Sequence, residues 1–357
     1  MRLLGLVDVR NYAELNIEVP PGLVVFTGRN AQGKSNLLEA IGVLATGKSF
    51  RTAHEGELIR HGSLRAVVNG EADVAAGSIH LACEIARTAQ GTRKTYRLNG
   101  EPTKFARYLG SVRAVTFTPA DLELVDGPPL RRRAMLNSAL SQSDPRYYRE
   151  LALYTKILTQ KRALLRASEI VDRELLTTYN AQLAAAGDAL IAARASYATT
   201  FSSAAAAAHR ALGIDGVLQV VYRPDVEPGS LAARLEERMP LEIARKAVLA
   251  GPHRDDVELI LDGVSLAAFG SQGQKRGAVL ALKLAEYAVL REQSGEAPLL
   301  LLDDVLSELD DVRQRYFIEN IAPFEQVFLT ATVLPDRLHA PSHVYRIEAG
   351  RVERLAC

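Results

Sequence analysis

The sequence predicts an α/β fold, with a mainly helical second lobe further along the chain, and three observations carry the α/β prediction. Leu23–Thr27 is a short apolar run, the pattern of a strand buried on both faces. The stretch Gly28-Arg29-Asn30-Ala31-Gln32-Gly33-Lys34-Ser35 follows it at once. Asn36–Leu44 then carries Leu37, Leu38, Ile41 and Leu44 at helical spacing.

Strand, glycine loop and helix in that order are the context in which G-x-x-x-x-G-K-[ST] binds phosphate. Successive backbone N–H groups face one anion, and the helix N-terminus adds its dipole. Gly28 and Gly33 allow backbone conformations and a phosphate approach that a Cβ would block. The nucleotide-binding candidates are therefore Gly28, Arg29, Asn30, Gly33, Lys34, Ser35 and Asn36. Lys34 would pair with the β- and γ-phosphates of a bound nucleotide, and the Ser35 hydroxyl would hold Mg²⁺. A second match to the same pattern, Gly42–Ser49, lies at the end of the helix with no strand before it. Gly47 is better explained there as a glycine just past a helix C-terminus.

Length and composition set the bounds. At 357 residues, two domains or one elaborated domain is expected. The apolar share of 48% allows a substantial core. A net charge of +1 argues for no particular partner. Cys83 and Cys357 are far apart, which suits a reducing cytoplasm. Met1–Val9 is too short and interrupted for a signal peptide, and no apolar run is long enough to span a membrane. The histidines show no metal-ligand spacing.

Around the glycine loop the first third reads as a β-rich layer. Arg2–Val9 and Ala13–Val19 are expected strands, the second alternating Leu15, Ile17 and Val19 against Glu14, Asn16 and Glu18. Three alternating runs lie between Leu64 and Arg97, with Gly77-Ser78 expected to separate two of them and Asn99-Gly100 to close a hairpin. Val112–Thr116 is one more expected strand.

The texture changes at Pro119. Pro128-Pro129 and Asp144-Pro145 each start a helix. Tyr147, Leu151, Tyr154, Leu158 and Leu165 form a stripe on the second. From Asp172 to Leu212 an Ala-rich helix is expected, with Leu176, Tyr179, Leu183, Ala186, Leu190, Ala193 and Tyr197 in a heptad seam. A compact bundle and a short projecting arm both fit that seam. Val217–Tyr222 is a strand, Ser230 caps a helix that Pro240 should interrupt, and Val257–Leu261 is a strand ending at Asp262-Gly263. The expected division is residues 1–118 and 250–357 as one head, with 119–249 as a helical lobe inserted between the motifs.

The second half of the site is Leu299–Leu302 followed by Asp303-Asp304, an apolar strand ending in two carboxylates. This is the Walker B arrangement. Asp303 would hold the Mg²⁺ that Ser35 also touches, and Asp304 would orient or deprotonate the attacking water. Lys34, Asp303 and Asp304 are thus the catalytic candidates. Ser271-Gln272-Gly273-Gln274 precedes a helix with Leu280, Leu284, Tyr287 and Leu290 on one face, again a helix N-terminus suited to an anion.

Together these motifs resemble the ABC-type ATPases. Gly270–Gln274 resembles that class's signature, and Ser307-Glu308-Leu309-Asp310 its D-loop. The resemblance implies a dimer in which Ser271, Gly273 and Gln274 contact the ATP held by the partner subunit. Val9–Tyr12, Gly28–Ile41, Gly47–Thr52, Gly251–Asp256, Ser271–Arg276 and Leu301–Asp310 narrow it further. The chain resembles, end to end, the RecF family of SMC-like recombination-repair ATPases. That implies ATP-dependent dimerisation on double-stranded or gapped DNA, and cooperation with RecO and RecR in loading RecA. Three departures from the pattern stand out. Asp304 replaces the usual glutamate, which agrees with slow turnover. Thr330-Ala331-Thr332 follows Phe328-Leu329 where a histidine is usual. Phe117–Asp121 contains no glutamine.

The span 127–173 holds ten Lys or Arg against four Asp or Glu. Basic residues on helices can track phosphates without reading sequence. Arg131, Arg132, Arg133, Lys161 and Arg162 are the DNA-contact candidates. The alternative from another class is the ATPase subunit of a membrane transporter; a third is an ATP-gated clamp that does not hydrolyse. Against the transporter, Ser271 and Asp303 lie 32 residues apart, a longer spacing than such subunits usually show.

Overall fold

The structure, a computed structural model, describes residues 1–167, 171–308, 311–332 and 342–355. Leu309, Asp310 and Cys357 lie outside the described residues. The chain opens with strands β1 (Leu3–Val9), β2 (Tyr12–Glu18) and β3 (Gly22–Thr27), then helix α1 (Lys34–Thr46). Strands β4 (Arg65–Val74), β5 (Gly77–Thr88), β6 (Gly91–Leu98) and β7 (Glu101–Thr103) follow, with the one-turn helix α2 (Phe105–Tyr108) and β8 (Ala114–Phe117). Helices come next: α3 (Glu123–Asp126), α4 (Pro129–Ser143), α5 (Pro145–Ala167) and α6 (Arg173–Ala211). Then come β9 (Leu218–Arg223), α7 (Leu231–Arg245), β10 (Asp256–Leu261), β11 (Val264–Ser265), α8 (Leu266–Phe269) and α9 (Gln272–Ser294). The chain closes with β12 (Leu299–Asp303), α10 (Asp311–Ile321), β13 (Gln326–Ala331), β14 (Ser342–Glu348) and β15 (Arg351–Arg354).

Two compact units result. The first comprises Met1–Asp121, Ala208–Asp215 and Arg276–Cys357; the second comprises Leu122–Ala207 and Gly216–Lys275.

The first unit holds two six-stranded sheets, ordered β2-β1-β4-β5-β6-β7 and β15-β14-β3-β13-β12-β8. The former is antiparallel throughout. In the latter β14, β3, β13, β12 and β8 run parallel, and β15 is antiparallel at the edge. Helix α1 is buried nearly all round, as a helix with apolar residues on every side must be. Leu37, Leu38, Ile41 and Leu44 join one core with Leu4, Leu6 and Val68 of one sheet and Val24, Phe26 and Phe328 of the other. β12, reading LLLLD, is buried at every position because strands flank it on both sides. The β4–β5 turn falls at Ala75-Ala76, and Gly77 opens β5 rather than forming the turn. β8 begins two residues later and ends one later than the sequence suggests, where Leu302 of β12 pairs with Phe117.

The second unit adds to its helices a small sheet ordered β11-β10-β9. Residues 250–275 belong here and not to the head, which corrects the boundary expected at 250. The cause is tertiary. β10 pairs antiparallel with β9, and the acids that precede and open it are captured by helices of the lobe. Asp255 accepts from Arg194 on α6 at 2.6 Å, and Asp256 from Arg132 on α4 at 2.7 Å. The Gly251–Asp256 motif is thus a fastening of the lobe. The helices pack as a bundle: Lys161 near the end of α5 meets Asn180 near the start of α6, and Tyr147 at the other end of α5 meets Arg194. Leu176, Leu183, Ala186, Leu190 and Tyr197 of the seam are buried. Pro240 does not interrupt α7; it sits inside the helix. The carbonyl it deprives is that of Glu236, which is exposed and can bond water instead.

Candidate active site

β3 and α1 place the phosphate loop, and its neighbours fix it from two sides. Tyr12 donates its hydroxyl proton to the Gly33 carbonyl at 3.0 Å, and Asn11 Nδ2 donates to Gln32 O at 3.0 Å. From the β14–β15 turn, the Ala349 N–H donates to Gln32 Oε1 at 2.7 Å and the Gly350 N–H to Gln32 O at 3.2 Å. Gly28 has φ +145, and a Cβ there would lie 2.3 Å from the Ile347 carbonyl oxygen. Gly33 has φ +120, and a Cβ there would strike Asn11 and Tyr12. Both glycines are therefore required by backbone conformation and by close neighbours, before any phosphate is considered. Gly47 is the left-handed residue that ends α1, at φ 69, so the second glycine-lysine match is a helix terminus.

Lys34 is 8% exposed and folds back onto the loop, donating to Gly28 O at 2.6 Å and Arg29 O at 2.9 Å. Burial pulls its ammonium below the ordinary lysine value; Asp304 and then Asp303 oppose that. The carbonyls hold the cation at the cradle that triphosphate oxygens would take over. Asn36 and Arg51 stand beside it: Arg51 Nη1 donates to Asn36 Oδ1 at 2.5 Å. Behind them the fully buried Glu39 accepts both Nε and Nη2 of Arg10 at 2.9 Å each, and it also receives the Ser49 hydroxyl. This ties α1 to the β1–β2 turn.

β12 brings the distant half. Ser35 Oγ donates to Asp303 Oδ1 at 2.7 Å, and Asp303 is 9% exposed. Asp304 follows in the left-handed region at φ 52, exposed to solvent. A hydroxyl and a carboxylate converging on one point form an oxygen donor set of the kind Mg²⁺ takes, which is usually completed by substrate phosphates and water. Among the described residues there is no cluster of three or more His, Cys, Asp or Glu that could hold a metal ion. Two donors plus a triphosphate need none.

In the second unit, Ser271 and Gln274 form a capping box at the start of α9. The Ser271 N–H donates to Gln274 Oε1 at 2.8 Å, and the Gln274 N–H donates to Ser271 Oγ at 3.2 Å. The S-x-x-Q spacing was a legible signal for it. Gly273 is half-buried, and Lys275 pairs with Asp126 at 2.6 Å. The signature's side chains thus shape a helix N-terminus at which Ser271 and Gln272 are exposed.

The five basic candidates separate sharply. Lys161 is fully buried, 2.5 Å from Glu242, and Arg132 is buried with both carboxylate oxygens of Asp256. Neither can lie on a DNA phosphate, which corrects the expectation for both. Arg133 donates to Asp255 O at 2.6 Å, and Arg131 pairs with Glu123 at 2.6 Å on the surface. Arg162 is exposed, as are Arg146, Arg149 and Lys156 on the same helix. A cation's place in the sequence does not reveal whether a distant acid has drawn it inside.

Known proteins share this architecture. Residues 1–351 match the family model described as RecF/RecN/SMC N terminal domain. The chain is 39% identical to the DNA replication and repair protein RecF of Chloroflexus aurantiacus over 98% of each chain. It is also 39% identical to that of Symbiobacterium thermophilum, over 96% of this chain and 95% of the relative. A solved structure described as the recombination mediator protein RecF-ATP in the RecFOR pathway superposes with TM-score 0.90 at 32% identity, covering 99% of this chain and 98% of that one. An SMC head bound to the C-winged helix domain of ScpA shares the fold, with TM-score 0.57 at 16% identity. Among the described residues no helix is long and apolar enough to cross a membrane. A match that runs nearly the whole length of both chains, through the loop, the strand acids and the lobe, places this chain in the RecF family of SMC-like proteins.

Proposed function

We propose that the chain is an ATP-dependent DNA-binding protein of recombination repair that hydrolyses ATP slowly between two of its subunits. The observation that carries this reading is the convergence of Lys34, Ser35 and Asp303 from opposite ends of the chain. Gly28, Arg29, Asn30 and Gly33 supply the backbone cradle, and Asn36 continues it on the first turn of α1. Ser35 and Asp303 would hold Mg²⁺, which, when bound, neutralises charge on the β- and γ-phosphates. Lys34 leaves its two carbonyl partners for phosphate oxygens. Asp304, exposed beside the site, orients the attacking water and accepts its proton. Its side chain is one methylene shorter than glutamate, which fits slow turnover.

The exposed N-terminus of α9, with Ser271, Gly273 and Gln274, fits the role of covering the ATP of a second copy. A relative described as the recombination mediator protein RecF-ATP in the RecFOR pathway supports the reading, and makes RecO and RecR the partners to test, with RecA loading as the outcome. DNA contact falls to exposed cations of the lobe such as Arg162.

The decisive experiment is light scattering with and without ATP on the wild type and Ser271→Arg. ATP should double the mass of the wild type and leave the variant monomeric, while both retain one bound ATP per chain. Dimers that persist in Ser271→Arg would remove the shared-site mechanism.

A further inference from the structure

Between the strand that carries the phosphate loop and the strand that carries the two acids runs β13. Its register sets Thr330 directly opposite Asp303 and Ala331 opposite Thr27. Ligands of parallel sheets gather at the carboxyl ends of the strands, and Thr330 is the next-to-last residue of this one. Thr330 is 1% exposed, and its hydroxyl makes two bonds in opposite senses. It donates to Asp303 Oδ1 at 2.9 Å, the oxygen that Ser35 also addresses. It accepts the backbone N–H of Asp304 at 2.9 Å. Two residues on, Thr332 Oγ1 reaches Asn30 Oδ1 of the phosphate loop at 3.4 Å.

We infer that Thr330 is the positioning residue of the metal-and-water corner of this site. One hydroxyl locks the Asp303 carboxylate in the orientation that meets Ser35. The same hydroxyl holds the backbone of Asp304 in the left-handed region, at φ 52. A non-glycine residue reaches that conformation at a cost, and Asp tolerates it better than most. The anchor therefore has two effects: it aims the carboxylate that would bind the metal, and it fixes where the neighbouring carboxylate points. A hydroxyl suits both tasks because it is donor and acceptor at once. Valine has nearly the same shape and can do neither. Thr330 touches no substrate atom, so it acts through Asp303 and Asp304. The inference rests on the ATP-hydrolysing reading above and names a residue that the site cannot lose.

The test compares wild type, Thr330→Val and Thr330→Ser in two measurements. The first is the Mg²⁺ concentration needed for half-maximal binding of a fluorescent ATP analogue; the second is single-turnover hydrolysis. Thr330→Val should raise the Mg²⁺ requirement and lower the hydrolysis rate by about 10- to 100-fold each, the usual cost of losing an outer partner of a metal ligand. Its metal-free affinity for the analogue should stay within about threefold, since the loop backbone is untouched. Thr330→Ser keeps the hydroxyl and should restore both readouts. Unchanged Mg²⁺ dependence in Thr330→Val, or equal losses in Val and Ser, would overturn the assignment. A wild type that binds no ATP analogue at any Mg²⁺ concentration would instead overturn the ATP-site reading itself.

Discussion

Ser35 and Asp303 are 268 positions apart in the chain, yet Ser35 Oγ donates to Asp303 Oδ1 at 2.7 Å. The bond exists because β13 separates β3 from β12 by a single strand, which brings the start of α1 level with the end of β12. Asp303→Asn keeps this hydrogen bond but removes the charge that a divalent cation needs. Single-turnover ATP hydrolysis should fall by roughly 100-fold or more, the scale of losing metal stabilisation at a phosphoryl group. ATP binding measured in EDTA should not change. Equal hydrolysis by the variant and the wild type would exclude Asp303 from the metal site.

Gly28→Ala combines a positive φ with a carbonyl oxygen 2.3 Å from the new methyl group. It should destabilise the chain by about 2–4 kcal/mol, more than backbone strain alone accounts for. Gly77→Ala is the control: its φ is +116, but nothing lies within 4 Å. It should cost only about 1–2 kcal/mol. Denaturant titration of the two variants separates clash from strain.

Lys161 and Glu242 are both fully buried, 2.5 Å apart. Burial pulls the Lys161 ammonium below the usual lysine value, while the bond and charge of Glu242 oppose that. Lys161→Met strands a buried carboxylate and should cost about 3–5 kcal/mol. Lys161→Met with Glu242→Leu should recover most of this in chemical denaturation. The double variant should bind DNA as the wild type does, because Lys161 is not at the surface.

Reversing Arg149, Lys156 and Arg162 to Glu should weaken duplex DNA binding. Each phosphate neighbour forfeited by the reversal should also lower the slope of log affinity against log salt by roughly 1. Arg132→Glu should instead unfold the lobe, because it meets Asp256 with like charge. Fluorescence anisotropy at several salt concentrations, beside a melting curve for each variant, distinguishes the two. Identical salt slopes in the triple variant and the wild type would rule out these three cations as phosphate contacts.

His253 accepts or donates at Nδ1 with the Tyr154 hydroxyl at 2.7 Å, and burial holds its pKa down at about 4. An unfolded histidine has a pKa of about 6.5, so between those values the unfolded chain binds more protons. The contribution is full above about pH 7 and is lost as pH falls toward about 4. Melting temperatures of the wild type should drop across that interval, and His253→Gln should flatten this part of the profile. An equally steep profile in the variant would place the acid sensitivity elsewhere.

The glycine loop, α1 and the two strand acids were legible because they are local. An apolar run, a fixed spacing and a helical period lie within a few dozen residues of one another. Ser271-Gln272-Gly273-Gln274 read only as a helix N-terminus suited to an anion; its reciprocal capping bonds emerged with the structure. What the basic span would do was not legible. Arg132 and Lys161 read like Arg162 in the sequence, and only Asp256 and Glu242, far along the chain, turned two of them inward. The boundary at 250 failed for the same reason, since Asp255 and Asp256 answer to arginines on α4 and α6.

By itself, then, the sequence determined which segments are strand, loop and helix near the phosphate loop, and which residue types are available to bind a triphosphate. The tertiary structure decided which cations are surface, where the lobe begins, and that Thr330 stands between Ser35's partner and Asp304. Local pattern follows from backbone sterics and hydrophobic period. Partner choice depends on burial, which makes an ionic or hydrogen-bonded pair mandatory and can draw its two members from any distance along the chain.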